Sequence, residues 1–69
     1  MMRYVVVVEQ GDRNFGAYVP DLPGCVAAGE SRDEVIALMR EAIDLHLQAL
    51  RDSGEPVPAP RSTSEYVEA

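Results

Sequence analysis

The sequence predicts an α+β fold: a three-stranded antiparallel sheet with one helix packed on it, and a possible short fourth strand. Three observations carry this. The chain opens on the β-branched and aromatic run Arg3-Tyr4-Val5-Val6-Val7-Val8-Glu9. A second run is halted by Val19-Pro20-Asp21-Leu22-Pro23-Gly24-Cys25, a turn stiffened by two prolines. The pair Ser31-x-x-Glu34 then introduces a long stretch of helical apolar periodicity.

Alternation along the first strand sets Tyr4, Val6 and Val8 on one face and Val5 and Val7 on the other, so both faces are apolar. One face packs on the helix; the other needs a cover, or stays open as a patch that invites a partner. Gln10-Gly11-Asp12-Arg13-Asn14 is polar and holds a glycine, the composition of a hairpin connection. The second strand, Phe15 to Val19, places Phe15, Ala17 and Val19 on one side and Gly16 and Tyr18 on the other. Pro20 ends its ladder because proline has no N–H to donate. Pro20 and Pro23 fix two φ angles and Gly24 permits a positive one, so this turn reads as structural, with Cys25 a small packing residue. Cys25-Val26-Ala27-Ala28 is the third strand, with side chains small enough to lie close under a helix.

Ser31 is the expected N-cap and Glu34 its capping-box partner, while Asp33 and Glu34 complement the positive end of the helix dipole. The helix then runs from about Arg32 to Asp52. Ile36, Met39, Ile43, Leu47 and Leu50 form one stripe, with Val35, Leu38, Ala42, Leu45 and Ala49 beside it. Together they are wider than three strands require. Gly54 ends the helix, and alternate prolines hold Glu55-Pro56-Val57-Pro58-Ala59-Pro60 extended. The main domain is placed at residues 1–60, and residues 61–69 form a short C-terminal strand or tail whose apolar pair is Tyr66 and Val67.

Sixty-nine residues make one small domain, which hides only about 60% of the surface its unfolded chain exposes. The lone Cys25 excludes an internal disulfide, and no Cys/His spacing suits zinc. Without such staples a core of this size supplies only about 3–5 kcal/mol, which points to a homo-oligomer, a two-fold dimer first. The open face of the strands and helix positions near Leu47 and Leu50 are the surface expected to be shared. The apolar run Tyr4 to Val8 is too short to span a bilayer, and no cleavage-site pattern follows it, so the expected compartment is the cytoplasm. The formal charge is −6, from twelve acids and six bases, every base an arginine. Such a surface repels phosphate, which argues against direct nucleic-acid binding by this chain. It suits a basic partner, although acidity also serves plain solubility.

No catalytic constellation is legible. His46 sits between Leu45 and Leu47, and a lone helical histidine reads as packing or surface; Glu41 and Asp44 nearby do not complete a metal site with it. Cys25 has no activating cation or helix N-terminus close in sequence. Ser31 and the Asp33-Glu34 pair are accounted for by the cap, and no phosphate loop, dinucleotide fingerprint or zinc motif occurs. The chain therefore reads as a non-enzyme without cofactor or metal.

Tyr4-Val5-Val6-Val7-Val8-Glu9, then Gly16-Ala17-Tyr18-Val19-Pro20-Asp21-Leu22-Pro23-Gly24-Cys25, then Gly29-Glu30-Ser31-Arg32-Asp33-Glu34-Val35, with the proline run after Gly54, resembles the HicB antitoxin family from roughly Arg3 to Arg61. The resemblance implies a β-β-β-α-β domain, like a partial ribonuclease H fold without its catalytic acids. It also implies a partner: HicA, a small basic ribonuclease with a double-stranded-RNA-binding-like fold, which such domains bind and silence. Many members add a C-terminal helix-turn-helix or ribbon-helix-helix that binds the operon's promoter. The residues after Pro60 are too few for either, so the resemblance is to a minimal domain without that module.

The expected function is thus that of an antitoxin-type interaction module that neutralises a HicA-like toxin. The acids outside the helix cap, Glu9, Asp12, Asp21 and Glu30, are the expected partner-binding residues. Two other classes stay open: an orphan HicB-like domain that only self-associates, and a small-ligand binder or enzyme built on the Pro-Asp-Leu-Pro-Gly-Cys turn.

Overall fold

A computed structural model describes residues 2–69. Its strands are β1 (Val7–Gln10), β2 (Phe15–Tyr18) and β3 (Val26–Gly29), followed by one helix, α1 (Arg32–Asp52). The strands form one antiparallel sheet in the order β1-β2-β3, and α1 packs on β3 and β2.

Register fixes which side chains meet. Val8, Ala17 and Ala27 lie in one cross-strand row, and Val7, Tyr18 and Val26 in the next. Because successive residues point to opposite faces, the first row faces α1 and the second faces away. The core bears this out: Ala17, Val19, Leu22, Cys25, Val35, Met39 and Leu47 are buried, with Tyr4, Val6, Val8, Phe15 and Ala27 packed against them. The alternation expected for the first two strands therefore holds.

The first strand is shorter than the Arg3–Glu9 run expected from composition. Pairing begins at Val7, opposite Tyr18. Beyond Tyr18 the chain turns away: the Val19 N–H donates to the Cys25 carbonyl at 3.2 Å, and Pro20 has no N–H to offer β1. Tyr4, Val5 and Val6 thus run on without a partner strand. The third strand is shifted by one residue, to Val26–Gly29, because Cys25 closes the turn. The fourth strand that the sequence left possible does not form among the described residues; 55–69 carry no regular element.

The proline turn consists of two successive reverse turns. The Leu22 N–H donates to the Val19 carbonyl and the Cys25 N–H to the Leu22 carbonyl, both at 3.1 Å. Pro23 and Gly24 occupy the centre of the second, and Gly24 has φ +84°, the arrangement of a type II turn. Nothing lies within 4 Å of where a Cβ would stand on Gly24, so its glycine answers to backbone conformation alone. Gly24→Ala should cost about 1–2 kcal/mol from the left-handed conformation, read as a lower urea midpoint with unchanged slope. An unchanged midpoint would mean that the turn does not need glycine. The two turns also point Leu22 inward, where it is fully buried.

Ser31 caps α1, its Oγ accepting from the Glu34 N–H at 3.1 Å. The return bond is displaced by one residue: Glu34 Oε1 accepts from the N–H of Glu30, at 3.3 Å, rather than from that of Ser31. At the other end, Gly54 (φ +75°) allows its N–H to reach the Arg51 carbonyl and that of Glu55 to reach the Leu50 carbonyl, a Schellman closure. Along α1 the sheet selects Val35, Met39 and Leu47 for burial and leaves Leu38 and Leu45 exposed. Val35, which the sequence put beside the main stripe, is wholly buried.

Candidate protein-binding surfaces

The sheet has two ends with different chemistry. The β1–β2 hairpin, the close of β3 and the start of α1 share one end, because Gln10, Phe15 and Gly29 are register partners. Glu9, Asp12 and Glu30 are all exposed there, near the capping acids Asp33 and Glu34. The proline turn and the C-terminus of α1 share the opposite end. The structure therefore brings three of the four sequence-nominated acids to one end and sets Asp21 at the other.

Asp21 has an internal role. Its Oδ2 accepts from the N–H groups of Arg61 and Ser62, each at 2.9 Å, and its Oδ1 accepts from the Ser62 hydroxyl at 2.7 Å. The Ser62 N–H first, then that of Arg61 and the hydroxyl, hold this carboxyl below the usual carboxylate range. Sequence reasoning missed this anchor because its two sides are 40 and 41 residues apart. It also passed over Leu22, whose one available signal was a large apolar side chain isolated among turn residues.

The face of the sheet away from α1 is open. Tyr18 and Val26 are exposed, Val26 to 64%, and Val7 completes their row. The neighbouring row is Glu9, Gly16 and Ala28. An apolar strip is thus bordered by small side chains and, at the hairpin end, by acids. A Cβ on Gly16 would meet nothing within 4 Å, so this face is flat as well as open. The helix positions expected to join a shared surface, Leu47 and Leu50, instead turn inward, the first buried and the second half-buried against the core.

The remaining candidates for chemistry are accounted for by packing. Cys25 is buried, and burial pushes its thiol up, away from reactivity. His46 is half-buried on α1. Among the described residues no group of three or more His, Cys, Asp and Glu side chains could hold a metal ion, and no helix is long and apolar enough to cross a membrane.

A small sheet with one helix thus carries an open apolar strip and an acidic end. The chain belongs to the HicB-like antitoxin family of bacterial toxin-antitoxin systems, whose family model matches residues 4–69. It is 29% identical over 66 residues, 96% of this chain, to an uncharacterised 14.9 kDa protein of the rep-hol intergenic region of Haemophilus phage HP1. It is 31% identical to a UPF0150 protein of Thermoplasma acidophilum, over 83% of this chain and 84% of that one. A UPF0150 protein of Helicobacter pylori is 42% identical over 59% of this chain and 57% of its own length. The chain thus spans only half the length of the phage relative. No solved structure gives a significant match. Membership of an antitoxin family points to a regulatory module rather than a catalytic one.

Proposed function

We propose that this chain neutralises a small basic HicA-like ribonuclease by laying its open sheet face and acidic end against it. The observation that carries this reading is the apolar Val7-Tyr18-Val26 row bordered by exposed Glu9, in a chain of net charge −6 from an antitoxin family. The strip supplies burial at the centre of an interface, and the acids at its rim raise the rate of encounter with a basic protein and fix its orientation. They also compete for the basic cleft that receives RNA. Glu9, Asp12 and Glu30 form the proposed contact set; the Asp21 carboxylate is already taken up by the tail.

Calorimetric titration with a small basic HicA-like ribonuclease tests the reading. Reversing the three acids together (Glu9→Arg, Asp12→Arg, Glu30→Arg) should weaken binding by about tenfold or more, and rising salt should weaken the wild-type complex. Gly16→Thr should leave the urea midpoint within about 0.5 kcal/mol, because the site is empty, yet impair binding by raising a side chain on the open face. Binding indifferent to salt, to the acids and to Gly16 would remove this surface from the account.

Self-association has its own support in Leu38 and Leu45, exposed on α1 one heptad apart. This surface is separate from the open sheet face, so a homodimer through α1 is compatible with toxin binding.

A further inference from the structure

Among the described residues β3 has β2 as its one partner, so its other edge is free. The Val19 N–H donates to the Cys25 carbonyl, which makes these two a hydrogen-bonded pair at the end of the β2–β3 ladder. Such pairs alternate along antiparallel strands. Ala17–Ala27 and Phe15–Gly29 are therefore the next two, and Val26 and Ala28 turn their N–H and C=O groups outward. The Glu30 N–H points the same way and is already taken by Glu34 Oε1. The free edge thus offers two donors and two acceptors, bounded by the helix cap at one end and the proline turn at the other.

α1 lies over β3 and β2. Ile36 and Ile43 are half-buried on its flank toward β1, where the sheet continues beneath them. Leu38 and Leu45, one heptad apart, are exposed on the opposite flank, above the side where the sheet ends. An unpaired strand edge and an unpartnered leucine row therefore face the same way. The chain also exposes 5626 Å², against roughly 4,200 Å² expected of a compact monomer of its mass. That excess, part of it the extended tail, is larger than the roughly 800 Å² each partner hides in a standard interface.

We infer that two copies of this chain pair β3 to β3, antiparallel about a two-fold axis at Ala27, with α1 laid against α1 through Leu38 and Leu45. The two sheets become one of six strands. This gives the self-association considered above a definite surface and does not depend on a toxin. Val26 of each copy meets Ala28 of the other, and this is the only register that pairs all four outward groups of each edge. Ala27 and Ala28 are small, so nothing on the edge obstructs the approach. Strands lie about 4.8 Å apart and α1 sits over β3 and β2. The two helices therefore come to about 10 Å, the interaxial distance of packed helices.

Sedimentation and amide hydrogen exchange on the full chain test this. The wild type should sediment as two chains at micromolar concentration. Its Val26 and Ala28 amide protons, which have no acceptor within one chain, should exchange about tenfold more slowly than in a single-chain variant. Rising salt should strengthen the dimer, because two chains of charge −6 repel each other. The complex with a basic toxin should weaken instead, so the two readings fail separately. Ala28→Pro removes an outward donor that the single chain does not use, and Leu45→Glu charges the leucine row. Each should give the mass of one chain while keeping the Val35 and Met39 methyl signals of an intact core. A wild type that remains one chain at millimolar concentration would overturn the inference, as would a dimer unchanged by both variants. Should Ala28→Pro fail to fold, Leu45→Glu and the two amide protons decide, and equal exchange in wild type and Leu45→Glu would overturn the paired edge.

Discussion

Leu22→Ala should leave this chain largely unfolded in water at 25 °C. Leu22 is fully buried, and two reverse turns through Val19, Leu22 and Cys25 place it there. Truncating a buried leucine costs about 2–5 kcal/mol, and a core of this size supplies about 3–5 kcal/mol. The two quantities are comparable, so one side chain decides whether the sheet and α1 stay together. Loss of the helical circular dichroism signal without denaturant is the expected reading. Leu22→Met, which keeps the volume, should cost less than about 1.5 kcal/mol and preserve the signal. A Leu22→Ala chain with a near wild-type urea midpoint would show that the turn does not pin the core.

Gly29→Val has the next largest expected effect, for a different reason. A Cβ at Gly29 would stand 3.1 Å from Glu34 Oε1 and 3.2 Å from the backbone nitrogen of Val35. The glycine marks where β3 and the first turn of α1 touch. Valine there pushes Glu34 off the Glu30 N–H and pries the helix start from the sheet, at a cost of about 1–3 kcal/mol from overpacking. Gly16 provides the contrast, since a Cβ there meets nothing within 4 Å. Urea denaturation of the two valine variants should therefore separate them, Gly29→Val falling well below wild type and Gly16→Val staying near it. Equal losses would mean that the sheet tolerates neither residue and that the close approach at Gly29 is unimportant.

What was legible in the sequence followed from local periodicity and from residues with restricted backbones. Strand alternation is a property of the chain itself, so the helix-facing row with Val8 and Ala17 and the open row with Val7 and Tyr18 were readable before any pairing was known. Gly24, Gly54 and Ser31 announced a turn and two helix ends because few residue types serve those conformations. The length of the first strand was not readable from its own residues. It depends on what Val6 and Val5 would face, and register puts them opposite a chain that has already turned at Val19 and Pro20. On α1 a stripe too wide for the sheet was evident, but only packing on β3 and β2 decides that Val35 is buried and Leu45 is not. Asp21 shows the limit most clearly. An acid in an exposed turn looks the same in sequence whether it awaits a partner or holds the tail, and its donors lie 40 residues away. The acids at the hairpin end could be named but not grouped, because the sheet, not the sequence spacing, brings Glu9, Asp12 and Glu30 together.

Silencing of a small basic ribonuclease by direct binding is the role we propose for this antitoxin-family chain. Co-expression with a small basic HicA-like ribonuclease tests this most directly, with growth and co-purification read in the same cells. The expected result is that the HicA-like protein alone arrests growth, that this chain restores it, and that the two purify together at low salt and separate as salt rises. Growth arrest that this chain does not relieve, with no complex recovered at any salt concentration, would contradict it and leave self-association as the activity of this domain.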